Sequence, residues 1–169
     1  MTRKIALGMD IPRTFVLLCA SVLVPYLIHL LPAYQNVPMG ARLLPMFYAP
    51  LIAVFYMELP VVILVSLSAP LLNYILTGHP LVGNVIAVTV ELFLFSTAAV
   101  MMSKHKVLRY FIPVSYLMVK LFGAIVSIGA LNHATIHAWV DAVSVALPGV
   151  GLLYILVIIL VSRTCGNRS

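Results

Sequence analysis

The sequence predicts an all-α, polytopic membrane protein with six transmembrane helices, and two observations lead to this fold class. First, 63% of the 169 residues are hydrophobic and only 8% are charged, whereas roughly a quarter of the residues in a soluble domain are charged. Second, the apolar residues form successive runs separated by Pro, Gly, Asn or charged residues. Such runs approach the ~20 residues that a helix needs to cross a hydrocarbon core about 30 Å thick. A lipid bilayer is therefore the expected surrounding of this chain.

Each apolar run is predicted to form one helix. The runs cover residues 14–31, 43–57, 60–76, 81–102, 107–130 and 142–162. The second and third runs are short and meet at "MELP", where Pro60 cannot continue a helix but suits a first turn. We therefore expect a tight helical hairpin at this point. Without internal repeats, the chain is predicted to be one membrane domain, with a cytoplasmic segment at 1–13, a six-helix core at 14–162 and a cytoplasmic tail at 163–169.

The Lys and Arg residues predict the orientation of the chain. With six spans both termini share a side, and only Arg42 falls in an opposite loop, while Lys120 lies inside a span. The other eight are Arg3, Lys4, Arg13, Lys104, Lys106, Arg109, Arg163 and Arg168. By the positive-inside rule, both termini are expected to be cytoplasmic. The net charge of +6 then reflects membrane orientation, and no nucleic-acid partner is predicted.

Prolines gather on the predicted outer side, around the loop "PAYQNVPMGARLLP". Pro32, Pro38 and Pro45 lie in or beside this loop, and Pro50 lies one turn deeper. Irregular backbone is tolerated at membrane depth only where protein covers it or where it lines a cavity. The sequence therefore predicts an outward-facing cavity covered by a structured loop.

Three segments and one residue carry a resemblance to a known family. They are "IHLLPAYQNVPMGARLLPMFYAPLIAVF", "SAPLLNYILTGHP", Glu91 and "ALPGVGLLYILVIILV". In order and spacing, from Pro25 to Val161, the chain resembles the substrate-binding S component of energy-coupling factor (ECF) transporters. It departs from that pattern at Phe47, where the family has His, and at Leu153 and Ile158, where it has Gln and Pro. These changes make the expected pocket more apolar.

The resemblance implies a capture protein of a prokaryotic inner membrane rather than an enzyme. Such a component binds a micronutrient, often a water-soluble vitamin, and delivers it through a T component and two ATPase subunits. ATP would be bound by those partners, because the chain has no "GxxxxGK" motif followed by Ser or Thr. Docking in this family uses small residues on the first helix, and Val16, Ala20 and Val24 have that spacing. Ordinary helix packing is an equal explanation for these three residues.

Buried charge and the matched motifs together predict the substrate site. Glu91 and Lys120 lie near the middle of neighbouring antiparallel runs, so we expect them to pair inside the bundle. Two roles remain open: the pair lines the pocket base, with Lys120 meeting an anionic group such as a carboxylate, or it fixes helix register. The full set of predicted site residues is His29, Arg42, Met46, Phe47, Tyr48, Asn73, Glu91 and Lys120.

Functions of other classes also remain open. His133 and His137 have helical i, i+4 spacing, so a small haem- or metal-binding subunit is an alternative, as is a passive channel. No cofactor or metal is predicted, because no Glu completes an HExxH motif and histidine is also at home in polar loops. An enzyme is not predicted either, since the serines lack a GxSxG context.

Overall fold

The computed structural model describes residues 11–78, 80, 82–128 and 133–166. All regular elements within these ranges are helices. They are α1 (Ile11–His29), α2 (Met39–Leu43), a 3₁₀ helix (Pro45–Phe47), α3 (Tyr48–Tyr56), α4 (Leu59–Thr77), α5 (Val82–Ser103), a second 3₁₀ helix (Leu108–Phe111), α6 (Ile112–Ile128) and α7 (His133–Gly166). The predictions that refer to Arg3, Lys4 and Arg168 fall outside the described residues.

Five helices in the described part of the chain are long and apolar enough to cross a membrane. They cover Ile11–His29, Leu59–Thr77, Gly83–Ser103, Leu108–Val126 and His133–Thr164. The predicted all-α class is confirmed, and the five helices are compatible with a multi-pass membrane protein. The last helix is predicted to start at residue 142, but α7 already begins at His133. The residues between the last two apolar runs are thus partly helical.

The run predicted at 43–57 does not form a continuous helix. Leu44 adopts a left-handed conformation with φ 53°, which a non-glycine residue adopts only at an energetic cost, and this residue separates α2 from the first 3₁₀ helix. The apolar stretch Pro45–Tyr56 is roughly 18 Å long at a helical rise of about 1.5 Å per residue. It is therefore shorter than the hydrocarbon core.

The prolines of this region lie where helices begin. Pro45 is the first residue of the 3₁₀ helix, Pro50 lies in the first turn of α3, and Pro60 lies in the first turn of α4. A missing N–H costs no hydrogen bond there, because the first N–H groups of a helix lack an intrahelical acceptor. The hairpin expected at "MELP" is present, since α3 ends at Tyr56 and α4 starts at Leu59.

The short segment lies in the centre of the bundle. It contacts α1, α4, α5 and α7, and Leu51 and Ala53 are fully buried. Phe47 packs edge-on against Phe95 of α5 and Tyr116 of α6, with ring centroids 5.1 Å and 5.2 Å apart. The broken backbone is thus packed among helices on most sides and borders a cavity on the other, and both surroundings suit irregular structure in a membrane protein.

Helix α1 is attached to α4 by a hydrogen bond to its main chain. Pro25 has no N–H to donate to the carbonyl of Ser21 four residues earlier. The buried Asn73 of α4 donates Nδ2–H to that carbonyl oxygen at 2.7 Å, and to the Ala69 carbonyl at 2.9 Å. Asn73 therefore satisfies the acceptor that Pro25 leaves open, and this accounts for a buried amide between two apolar helices.

This arrangement predicts that Asn73→Leu destabilises the protein and that Pro25→Ala relieves the defect. The leucine leaves the Ser21 carbonyl without a donor, at a cost of about 2 kcal/mol, whereas alanine at position 25 restores the helical N–H. Thermal unfolding in detergent would measure both variants. If the double variant is no more stable than Asn73→Leu alone, Asn73 does not act through the Ser21 carbonyl.

Candidate functional site

A cavity of about 960 Å³ opens at the end of the bundle where α1 ends and α5 begins. Its floor consists of Leu44, Met46 and Phe47, and its walls come from α5, α6 and α7. The cavity lining is mainly apolar. A concave, largely apolar site with a few convergent polar groups is the usual form of a small-molecule site.

The cavity floor depends on a close approach between Leu44 and α7. A Cβ atom added at Gly149 would lie 2.6 Å from the carbonyl oxygen of Arg42, and 2.8 Å from both the Leu43 carbonyl carbon and Leu44 Cγ. Two of these three atoms belong to the backbone, so they cannot move aside as a flexible side chain does. Glycine at position 149 therefore allows the 42–44 backbone to rest directly on α7.

Glu91 and Lys120 form an ion pair on the cavity wall, as the sequence predicts. Lys120 Nζ donates to both carboxylate oxygens of Glu91, at 2.7 Å and 2.8 Å. The side chains are 25% exposed for Lys120 and 14% exposed for Glu91, so water or a ligand in the cavity can reach both. Two bonds to one partner make Lys120 a less available ligand for a second carboxylate.

A small hairpin turn borders the cavity. Tyr34 and Val37 exchange two backbone hydrogen bonds at 3.1 Å, and the two residues between them, Gln35 and Asn36, have φ of 53° and 60°. Positive φ at both central positions is the geometry of a type I′ turn. The expected structured loop is therefore present, and its flanking residues 31, 33 and 38–41 line the cavity.

Arg42 holds this turn rather than lining the cavity. Its Nη2 donates to the Tyr34 carbonyl at 3.3 Å and to Gln35 Oε1 at 3.4 Å. The guanidinium carbon also lies 4.9 Å from the centre of the Tyr34 ring, within the range of a cation–π contact. The predicted site residue Arg42 thus joins α2 to the hairpin turn.

The structure brings five of the eight predicted site residues to the cavity. These are His29, Met46, Phe47, Glu91 and Lys120. Tyr48 instead donates its hydroxyl to the Leu43 carbonyl. The prediction for Asn73 does not match its position, because its amide is buried between α1 and α4. A family motif marks a segment, but it does not tell which side of the helix each residue occupies.

Sequence reasoning missed Asp141 and Asn84, which also line the cavity. Asp141 is one of four acidic residues in the chain, and it lies outside the apolar run predicted for the last helix. Within the described residues, its carboxylate makes no ion pair. The rarity of acidic residues in this chain was a signal that could have identified it.

His29 lies against the backbone of Gly40 at the cavity rim. A Cβ atom at Gly40 would overlap the imidazole ring, whereas a Cβ at Gly83, at the start of α5, would meet nothing within 4 Å. We therefore predict that Gly40→Ala displaces the ring and weakens the binding of a small molecule in this cavity about tenfold, a loss equivalent to roughly 1.4 kcal/mol. Gly83→Ala is the matched control. Equal affinities of the two variants in calorimetry would show that the His29 position is unimportant.

The other histidines give no metal site in the described part of the chain. No three His, Cys, Asp or Glu side chains come together there. His133 and His137 both lie in the first part of α7 and are exposed. Both histidines therefore lie on one helix with i, i+4 spacing, but no third ligand lies beside them among the described residues.

The predicted docking residues lie on the face of α1 that points away from the helix bundle. Val16 is 64% exposed and Ala20 and Val24 are half-buried, while Thr14, Ser21 and Pro25 face the bundle and are buried. The described residues therefore leave part of this face uncovered.

Comparison with family models, with curated proteins and with solved structures gave no match to this chain. The assignment to the ECF S components therefore stays a prediction from the sequence motifs.

Proposed function

We propose that this protein captures a small solute in the cavity and delivers it across the membrane as the S component of an ECF-type importer. The observation that carries the proposal is the cavity itself. Its volume of about 960 Å³ lies at the upper end of the roughly 300–1,000 Å³ usual for small-molecule sites. The Glu91–Lys120 pair lies on its wall. An ionisable pair inside a membrane bundle is a functional-site hypothesis by default.

The proposal includes six crossings, with the cavity facing outward and both termini in the cytoplasm. Support comes from the helix ends: His29 at the end of α1 and Asn84 at the start of α5 both line the cavity. Only a short connection separates α4 from α5, so α4 begins at the far end of the bundle. Residues 44–58 must then return the chain to that end, as a sixth crossing would.

Charge supports the same orientation. The connection between α5 and α6, at the far end from the cavity, contains Lys104, Lys106 and Arg109, and α7 ends near Arg163. At the cavity end, the basic residue in the connections between the long helices is Arg42. An excess of Lys and Arg marks the cytoplasmic side of a membrane protein, so a solute would enter from outside.

The charges of the cavity favour a cationic or zwitterionic solute. Glu91 and Lys120 neutralise each other, which leaves the carboxylate of Asp141 as the remaining formal charge among the described lining residues other than histidine. A purely anionic solute would have to compete with Glu91 for Lys120 and would be repelled by Asp141. A solute with an amine or ring cation would meet a favourable field.

Transport would require partners, because binding in a cavity does not provide energy. We propose a T component and two ATPase subunits, as the motif resemblance implies, with the exposed part of α1 around Val16 and Ala20 as the docking face. Small side chains allow the close helix contact that stabilises association in lipid. The solute itself undergoes no chemical change in this scheme.

The test is mass spectrometry of small molecules released from protein purified in mild detergent, with thermal shifts across matched cationic, zwitterionic, neutral and anionic vitamins. One stoichiometric compound that raises the unfolding temperature is expected. Ala87 lines the cavity, so Ala87→Phe should abolish this effect by filling it. Val90→Phe, at an exposed position of the same helix outside the cavity lining, is the control. No released compound and no thermal shift with any vitamin would contradict solute capture.

A further inference from the structure

A second groove lies between α5 and α6, apart from the solute cavity. Its volume is about 460 Å³, and its lining includes Leu94, Ala98, Met102, Phe111, Met118 and Phe122. Ser115, also in the groove, donates its hydroxyl to the Ile112 carbonyl at 2.6 Å, so it offers little polarity. The groove is thus almost wholly apolar, and it is formed by two helices that are candidates to cross the membrane.

The groove is about as long as one leaflet is thick. From Leu94 to Met102 at the end of α5, the rise is roughly 12 Å, and from Phe111 to Phe122 on α6 roughly 16 Å, at about 1.5 Å per residue. Half of a hydrocarbon core of about 30 Å is about 15 Å. The groove therefore extends from the helix ends to about the middle of the bilayer.

Basic residues lie at the mouth of this groove. The connection between Met102 and Phe111, both groove residues, contains Lys104, Lys106 and Arg109. The connection is compact: His105 N–H donates to the Met102 carbonyl at 3.1 Å, and Arg109 Nε donates to the Lys106 carbonyl at 3.1 Å. Lys104 and Lys106 therefore lie within a few residues of the two helix ends that border the groove.

Apolar residues alternate with the basic ones in this connection. Val107 is 68% exposed, Leu108 46% and Tyr110 42%, while Lys104 and Lys106 are exposed too. Basic residues interleaved with exposed apolar and aromatic residues are typical of segments in the membrane interface. The connection thus combines positive charge with exposed apolar side chains at the end of the groove.

We propose that this groove binds an anionic phospholipid, with an acyl chain between α5 and α6 and the phosphate head group against Lys104 and Lys106. Basic sites between helices on the cytoplasmic side bind acidic lipid head groups in this way. A zwitterionic lipid offers the same chain but no net negative charge. The site is separate from the solute cavity and does not require transport, but its cytoplasmic location rests on the orientation proposed above.

Native mass spectrometry in mild detergent tests the proposal with phosphatidylglycerol and phosphatidylcholine of identical acyl chains. We expect about tenfold tighter binding of phosphatidylglycerol, because each basic residue near an anionic surface adds to the attraction. Lys104→Gln with Lys106→Gln should abolish this preference. Arg42→Gln removes a positive charge at the opposite end of the bundle, next to the solute cavity, and should preserve it. Equal binding of both lipids, or a preference that survives Lys104→Gln with Lys106→Gln, would overturn the proposal.

Ala98→Phe tests the acyl-chain part of the site. Phenylalanine fills the groove, so binding of both lipids should fall at least severalfold, whereas Ala87→Phe, which fills the other cavity, should leave it unchanged. If Ala98→Phe does not fold, Ala98→Leu makes the same test with a smaller side chain. Undiminished lipid binding, or a lipid-free dimer that Ala98→Phe disrupts, would show that the groove does not hold a lipid.

Discussion

Glu91→Gln is expected to lower both the unfolding temperature and the solute affinity, and adding Lys120→Met is expected to restore only the stability. Lys120 Nζ lies 2.7 Å and 2.8 Å from the two Glu91 oxygens. Removing one charge leaves the other unpaired, which costs roughly 3–5 kcal/mol at a fully buried site. Because 14% and 25% of the two side chains are exposed, we expect about 2 kcal/mol.

The double variant separates the two roles that the sequence leaves open for this pair. Glutamine and methionine carry no charge, so no unpaired ion remains and stability should return toward that of the unmodified protein. If the pair contributes to solute binding, affinity stays low in the double variant. Thermal unfolding and calorimetric titration with the released solute measure the two effects. Restoration of both stability and affinity would show that the pair serves only to fix helix register.

Gly149→Ala is expected to be the most damaging single-methyl change in α7, although alanine is the better helix former. The added Cβ would lie 2.6 Å from the Arg42 carbonyl oxygen, and insertion of a methyl group into a closely packed site costs about 1–3 kcal/mol. The backbone at Leu44 would have to move, and with it the cavity floor. A lower unfolding temperature and weaker solute binding should therefore appear together.

Gly151→Ala provides a matched control two residues further along the same helix. A Cβ atom at this position meets nothing within 4 Å, so only the helix propensity changes, in favour of alanine by up to about 1 kcal/mol. The unfolding temperature should stay constant or rise slightly. If both alanine variants behave alike, close approach of the 42–44 backbone is not what requires glycine at position 149.

The sequence predicts the long helices because hydropathy is a property of a whole segment. The same information is insufficient for residues 43–57, where the helix breaks at Leu44. A left-handed leucine has no local signature in the sequence, and the backbone beside Leu44 lies directly against Gly149 of α7. The tightness of that contact appears only once α7 is placed beside the 42–44 backbone.

The sequence predicts some of the residues that line the cavity, but not all of them. Glu91 and Lys120 pair because neighbouring antiparallel helices place their midpoints at equal depth, which chain order alone indicates. Asn73 belongs to a recognisable motif, but its role depends on Pro25, which is distant in the sequence. Asp141 was not predicted because it lies in the part of α7 that precedes the apolar run starting at residue 142.

The hydrogen bond from Asn73 to α1 has a consequence for how this sequence can change during evolution. The acceptor is the main-chain oxygen of residue 21, so other small side chains at this buried position would preserve the bond. The need for the bond arises from Pro25, whose ring removes the ordinary donor. Among relatives of this chain, positions 25 and 73 should therefore vary together, while position 21 varies independently of position 73.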